Sequence, residues 1–267
     1  MNPGHGIESL QIAYLEVKSD FVRWMTEKCS EEYVKQITSY LDKYLTHSIT
    51  TPEQLMHILS TINKGKRHFI AGLRNLLNYY EIFHNVSPEK LAPYRKILKM
   101  PRTNLDNYVP DTEQILKVYE CINDERYRLL FKLLVYSGLR LKEAVYLLNN
   151  YNNSRIIING KIAKYPIPLN RETKRSYYAY MPKSFALTLK PMAPNEDAVK
   201  QYFSKRGLPA KYLRKWNYNF LILNGVPESV ADFIQGRASI TVGSMHYLAK
   251  VKQADEWYSR VVDLFPL

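Results

Sequence analysis

Cysteine is scarce in this chain: Cys29 and Cys121 are the only two in 267 residues. They stand far apart and match no metal or redox spacing, so no disulfide framework is indicated. Both are expected to be small buried apolar side chains in an intracellular, reducing compartment. Glycine and proline, at 10 and 14, are too few for a collagen-like chain. No run approaches the ~18 consecutive apolar residues of a membrane-spanning helix. Met1 to Leu10 carry Gly, His and Glu where a secretory signal would be apolar. A glycine-rich phosphate loop, His-Glu-x-x-His, a zinc cysteine set and Gly-x-Ser-x-Gly are all missing. The carboxylates are not clustered as a two-metal nuclease needs. Acidic residues are outnumbered, 25 against 38 Lys and Arg, leaving a net charge of +13. That excess favours a polyanionic partner.

Aromatic residues are plentiful: 22 Tyr, 9 Phe and 3 Trp run along the whole chain and rule out wholesale disorder. With 46% hydrophobic residues there is core material for one large domain or two smaller ones. From Leu10 to Met100 the apolar spacing is helical throughout. Phe21, Trp24 and Met25 mark one stripe, and Tyr33, Ile37, Tyr40, Leu41 and Leu45 the next. Thr50-Thr51-Pro52-Glu53 reads as a helix start. Leu73, Leu76, Leu77 and Tyr80 line a further helix. The expectation is an all-helical domain of about four helices over residues 1–105. Between Lys99 and Glu113 the pattern lapses into a linker with two prolines and two asparagines. Residues 106–267 then hold 24 basic and 15 acidic side chains, so this part is basic too.

Past the linker, Glu113 to Asn149 reads as helical with one break at Ser137-Gly138. Arg155 to Ile158, the stretch 164–169, and Ser176 to Met181 read as extended segments, with Asn170 to Arg175 a polar turn. From Asn195 the helical spacing returns, with breaks at Lys205 to Pro209, Asn224 to Pro227 and Gly236. Ser-Gly stops one helix and allows a sharp reversal. Arg140 then falls near the first turn of the next helix, and Glu143, on the same face, can orient its guanidinium. On spacing alone this is also what a surface ion pair at a helix end looks like.

Ser137-Gly-Leu-Arg-Leu-Lys-Glu143 resembles the first arginine box of the tyrosine recombinases, the phage-integrase family. The other boxes follow in the family's order. A hairpin lysine is matched by Lys174, with Arg171 as competitor. Lys211-Tyr-Leu-Arg214 stands where the family has His-x-x-Arg before a buried helix. Phe233-Ile-Gln-Gly236-Arg237 stands where a helix ends in Gly plus His or Trp. Tyr247 follows ten residues later. Both family histidine positions carry cations, Lys211 and Arg237, a departure that resembles integrases of archaeal spindle-shaped viruses and archaeal plasmids.

The resemblance implies a mainly α fold with a small β-hairpin or sheet (α+β). A helical DNA-clamp (core-binding) domain, 1–105, would precede a catalytic domain, 106–267. It implies Tyr247 as nucleophile on a DNA phosphodiester, giving a 3′-phosphotyrosyl intermediate. Arg140 and Arg214 would hold the non-bridging oxygens. Lys174 would protonate the leaving 5′-oxygen, and Arg237 would add charge. Lys211, crowded by cations, is expected to have a lowered pKa and to join proton transfer. Cations around Tyr247 would favour its phenolate. His246 is a bystander. The implied partners are duplex attachment sites and a homotetramer on DNA, in the host cytoplasm, with no cofactor, metal or membrane. Trp257 to Phe265 either packs on its own domain or docks on a neighbouring subunit. The rivals are a non-catalytic DNA-binding protein of the same fold, an RNA-binding protein and a chromosome dimer resolvase.

Overall fold

Short polar side chains start many of the helices in the computed structural model, which describes residues 10–102, 104, 106–168, 176–237 and 247–267, with side chains from 249 in the last stretch. The chain divides into two units, Met1–Leu105 and Asp106–Leu267. The first holds α1 (Tyr14–Lys28), α2 (Glu31–Tyr44), α3 (Pro52–Thr61), α4 (Lys66–Phe83) and α5 (Pro88–Ile97). Ser30, Thr51 and Ser87 cap α2, α3 and α5, each accepting from the N–H three residues on. Thr51 and Gln54 close a capping box, with Pro52 in the first turn. Ile37 and Leu41 of α2 and Leu73, Leu76 and Leu77 of α4 share one buried core. The described part of this unit thus has five helices rather than four. Helix α5 is short and carries Pro93 inside it, which hides it from a periodicity reading.

The second unit opens with α6 (Thr112–Glu120), α7 (Glu125–Ser137) and α8 (Leu141–Asn149). The expected single helix up to Ser137 is in fact two. Asp124 accepts from Arg126 N and restarts the helix as α7. A three-stranded antiparallel sheet follows, ordered β1 (Ile157–Asn159), β2 (Ile162–Pro166), β3 (Tyr178–Pro182). Lys164 of β2 faces Tyr180 of β3 across the sheet. The unit continues with α9 (Lys183–Ala186), α10 (Glu196–Lys205), α11 (Ala210–Leu223), α12 (Glu228–Ile234) and α13 (Tyr247–Val261). The turn Asn170 to Arg175 lies outside the described residues.

The core of this unit joins Leu130, Phe131 and Leu134 of α7, Ala144 and Leu148 of α8, Leu213 and Trp216 of α11, and Tyr258 of α13. Val261, Val262 and Phe265 are buried in it as well, so the C-terminal segment packs on its own unit. The Phe265 ring lies 4.3 Å from Phe220 and 5.4 Å from Tyr136, and the Tyr136 hydroxyl donates to the Leu267 carbonyl. Two burial expectations fail. Cys121 is exposed at the end of α6, and Cys29 is half-buried past the end of α1. Leu223, at the last turn of α11, is 85% exposed. No described helix is long and apolar enough to cross a membrane.

Candidate active site

Gly138 sets the geometry of the first arginine. It ends α7 at φ +59°, the left-handed conformation that side chains disfavour. A Cβ there would also fall 2.3 Å from Asn217 Oδ1 and 2.5 Å from Gln235 Nε2. The reversal places Arg140 at the head of α8. Its backbone N–H donates to Glu143 Oε2 at 2.9 Å, and its Nη1 donates to Glu143 Oε1 at 2.8 Å. Glu143 is 1% exposed. The pair is therefore a buried clamp that fixes the guanidinium, not a loose surface bridge. Nη2 of Arg140 donates to the Gly236 carbonyl at 3.2 Å, which links α8 to the end of α12.

Arg214 comes from the first turns of α11 and enters the same place. Nη1 donates to Gly138 O at 2.6 Å and Nη2 to Gln235 O at 2.7 Å. Among the described residues no carboxylate is in ion-pair contact with it. Burial, and then the charges of Arg140 and Arg237, push its pKa down to about 9. It remains a cation at neutral pH, half-buried, and its described hydrogen bonds go to carbonyl oxygens, with Glu143 and Asp232 acting on it from a distance. Arg237 completes the group. Its Nε donates to Gln235 Oε1 at 2.9 Å, and its guanidinium lies 4.1 Å from the centre of the Tyr218 ring. Arg140 and Arg214 thus meet at the backbone of Gly138 and Gln235-Gly236, and Arg237 joins through the Gln235 side chain.

Lys211 does not join them. Its ammonium is 60% exposed and donates to Asp106 Oδ2 at 2.8 Å. Lys215 pairs with the same carboxylate at 3.2 Å. The expected lowering of the Lys211 pKa is therefore reversed: its hydrogen bond to Asp106, together with that carboxylate's charge, raises it. The same two lysines hold the Asp106 carboxyl down at about 2. Tyr247 is the first residue of α13. Its side chain, Arg171, Lys174 and His246 lie outside the described residues.

Three residues of this site have no counterpart among the expected ones. Gln235, fully buried, donates to Arg214 O at 3.0 Å and to Asn217 Oδ1 at 2.6 Å, and its own oxygen receives Arg237. Asn217, also fully buried, donates to Val135 O and Tyr136 O at 2.8 and 3.1 Å. Ser176 Oγ lies 3.2 Å from Glu143 Oε2 and 3.3 Å from Gln235 O. It seats the start of the returning strand, two residues past Lys174, on the arginine clamp. The signal for Gln235 and Asn217 was present as amides on helix faces that are otherwise apolar. Such a buried amide must satisfy every polar group with a partner, which makes it a rigid splint.

Chemically, three guanidiniums held by backbone and amide contacts form a preorganised oxyanion site. Among the described residues no three His, Cys, Asp or Glu cluster as metal ligands. A family model described as archaeal phage integrase matches residues 107–264, more than half of the chain. No curated protein matches in sequence. Among solved structures, a lambda integrase tetramer bound to a Holliday junction is similar at a TM-score of 0.64 and 12% identity. That likeness covers 94% of this chain and 79% of the other. A lambda integrase dimer bound to a core site gives 0.63 and 11%, covering 91% and 95%. At these identities the likeness speaks for the fold, over both units. The buried arginine clamp, the order of the boxes and the family match agree: the chain belongs to the archaeal phage integrase family and is a tyrosine recombinase.

Proposed function

We propose that this recombinase integrates a viral or plasmid element by cutting and rejoining duplex DNA at attachment sites, with Tyr247 as nucleophile. The observation that carries the reading is Arg214: a half-buried cation beside Arg140 and Arg237, held by carbonyls and paired directly with no carboxylate among the described residues. A phosphodiester supplies the missing anion. In the five-coordinate transition state extra negative charge builds on two non-bridging oxygens. Arg140 and Arg214 stabilise that state more than the ground state. The Tyr247 phenol gives up its proton to solvent and its oxygen forms a bond to phosphorus as the bond to the 5′-oxygen breaks, while Lys174 delivers the proton that the leaving oxygen needs. The reverse step, with a new 5′-hydroxyl attacking the phosphotyrosine, rejoins the strands. The bond energy is kept throughout, so the chemistry calls for no cofactor or metal.

The paired, exposed state of Lys211 supports a role in holding the DNA backbone in place of Asp106, rather than in proton transfer. The first unit serves as the helical clamp on the DNA, in the host cytoplasm. The tetramer on a Holliday junction seen for lambda integrase is the assembly we propose for strand exchange. A nicked suicide duplex tests the reading. The wild-type chain should form a covalent DNA adduct and Tyr247→Phe none. Tight DNA binding with no adduct from the wild type would leave the rival, a non-catalytic DNA-binding protein.

A further inference from the structure

Among the described residues the second unit fully buries one cation, and its carboxylate partner lies on the helix that Tyr247 begins. Lys164, in the middle of β2, is 7% exposed. Its Nζ donates to Asp255 Oδ2 at 2.5 Å. Tyr180, its cross-strand neighbour, donates its hydroxyl to Asp255 Oδ1 at 3.0 Å. Each oxygen of one carboxylate is thus taken by one member of a strand pair. Lys164 also lies over the Tyr178 ring at 5.1 Å. One helical turn past Asp255, Tyr258 packs its ring 5.3 Å from that of Tyr180. The Tyr258 hydroxyl donates at 2.9 Å to the Tyr136 carbonyl, near the end of α7.

Desolvating a lysine and an aspartate is costly, and well-packed apolar residues are often as stable there. What an ion pair adds is direction: the carboxylate is satisfied only when α13 sits at one rotation and one height on the sheet. Asp255 lies about 12 Å along the helix from Tyr247 at 1.5 Å per residue. The other end of the same connection, Tyr136, is joined through Ser137 and Gly138 to the turn that sets Arg140. Resting on the reading of Tyr247 as nucleophile, we infer that Lys164, Tyr180 and Asp255 are positioning residues, which seat the nucleophile's helix against the sheet and so in line with the phosphate site.

The test uses a variant that removes all three polar groups together, Lys164→Met/Tyr180→Phe/Asp255→Leu, so that none is left buried and unpaired. It should melt at the wild-type temperature or above and bind the attachment-site duplex with unchanged affinity. At saturating DNA it should form the phosphotyrosyl adduct about tenfold or more slowly, since a misplaced reactant loses rate without losing binding. Its amides at 249–254 should exchange faster than in the wild type, while those of α7 and α11 keep their rates. Wild-type cleavage by this variant, or unchanged exchange in 249–254, would overturn the inference. A wild-type chain that makes no adduct would instead sink the catalytic reading, and the exchange rates would still decide the seating of the helix.

Discussion

The second unit encloses two cations, Lys164 fully and Arg214 in part, and it treats them in opposite ways. Lys164 is given a dedicated carboxylate, Asp255, and a tyrosine to share it. Among the described residues Arg214 is held directly by backbone carbonyls alone; Glu143 and Asp232 act on it from a distance, and its neighbours Arg140 and Arg237 carry its own sign. A cation with its counterion inside is complete within the fold. One without it is kept at a cost that folding does not recover, and the difference is available to an anionic ligand. The same substitution should therefore do opposite things at the two positions. Lys164→Met leaves Asp255 buried and unpaired, and should lower stability by about 3–5 kcal/mol, measured by chemical denaturation. Arg214→Met removes a cation that no described carboxylate pairs with directly, and should leave the melting temperature unchanged or raised. Its adduct formation should fall by about 100–1000-fold, or roughly 3–4 kcal/mol. Equal losses of stability at the two sites would erase the distinction.

A smaller effect is expected at the turn that joins the arginines. Gly138→Ala meets both a left-handed φ and the Asn217 and Gln235 amides, and should lose about 1–3 kcal/mol. Rate should fall with it, since the same amides hold Arg214 and Arg237. The smallest effect is a pH dependence. The Arg214 pKa is lowered on folding, to about 9. The folded chain therefore gives up this proton before the unfolded chain does, and Arg214's own contribution to stability rises as pH passes about 9. DNA binding must run the other way, because the phosphate needs the cation. In Tyr247→Phe, which separates binding from cleavage, affinity should weaken above pH 9. Adding Arg214→Met should remove that step. A step that survives without Arg214 would place the titration elsewhere.

The arginine boxes were legible because they are local. A Ser-Gly break, an arginine and a glutamate three residues on specify a turn, a helix head and a clamp with little help from the rest of the chain. Lys211 was placed with the arginines by its spacing to Arg214. It parts from them because Asp106, more than a hundred residues earlier, supplies a carboxylate that no local pattern announces. Gln235 and Asn217 escaped notice for a related reason: their partners lie far along the chain, Arg214 and Asn217 for Gln235, and Val135, Tyr136 and Gln235 for Asn217. The helical character of the first unit could be read from its apolar spacing. Helix α5 could not, since a proline interrupts its pattern. Asp124 caps α7 and divides it from α6 inside a stretch whose apolar spacing reads as one helix. The extended segment from Lys164 could be read from the sequence, but the burial of Lys164 could not, since it depends on Asp255 of α13.

The most direct test of the central claim is to trap the covalent complex on a nicked duplex, digest it and identify the peptide that carries the nucleotide. The account predicts a single modified residue, Tyr247, at the head of α13. Modification of any of the other 21 tyrosines, or a phosphate linked to another side chain, would contradict it.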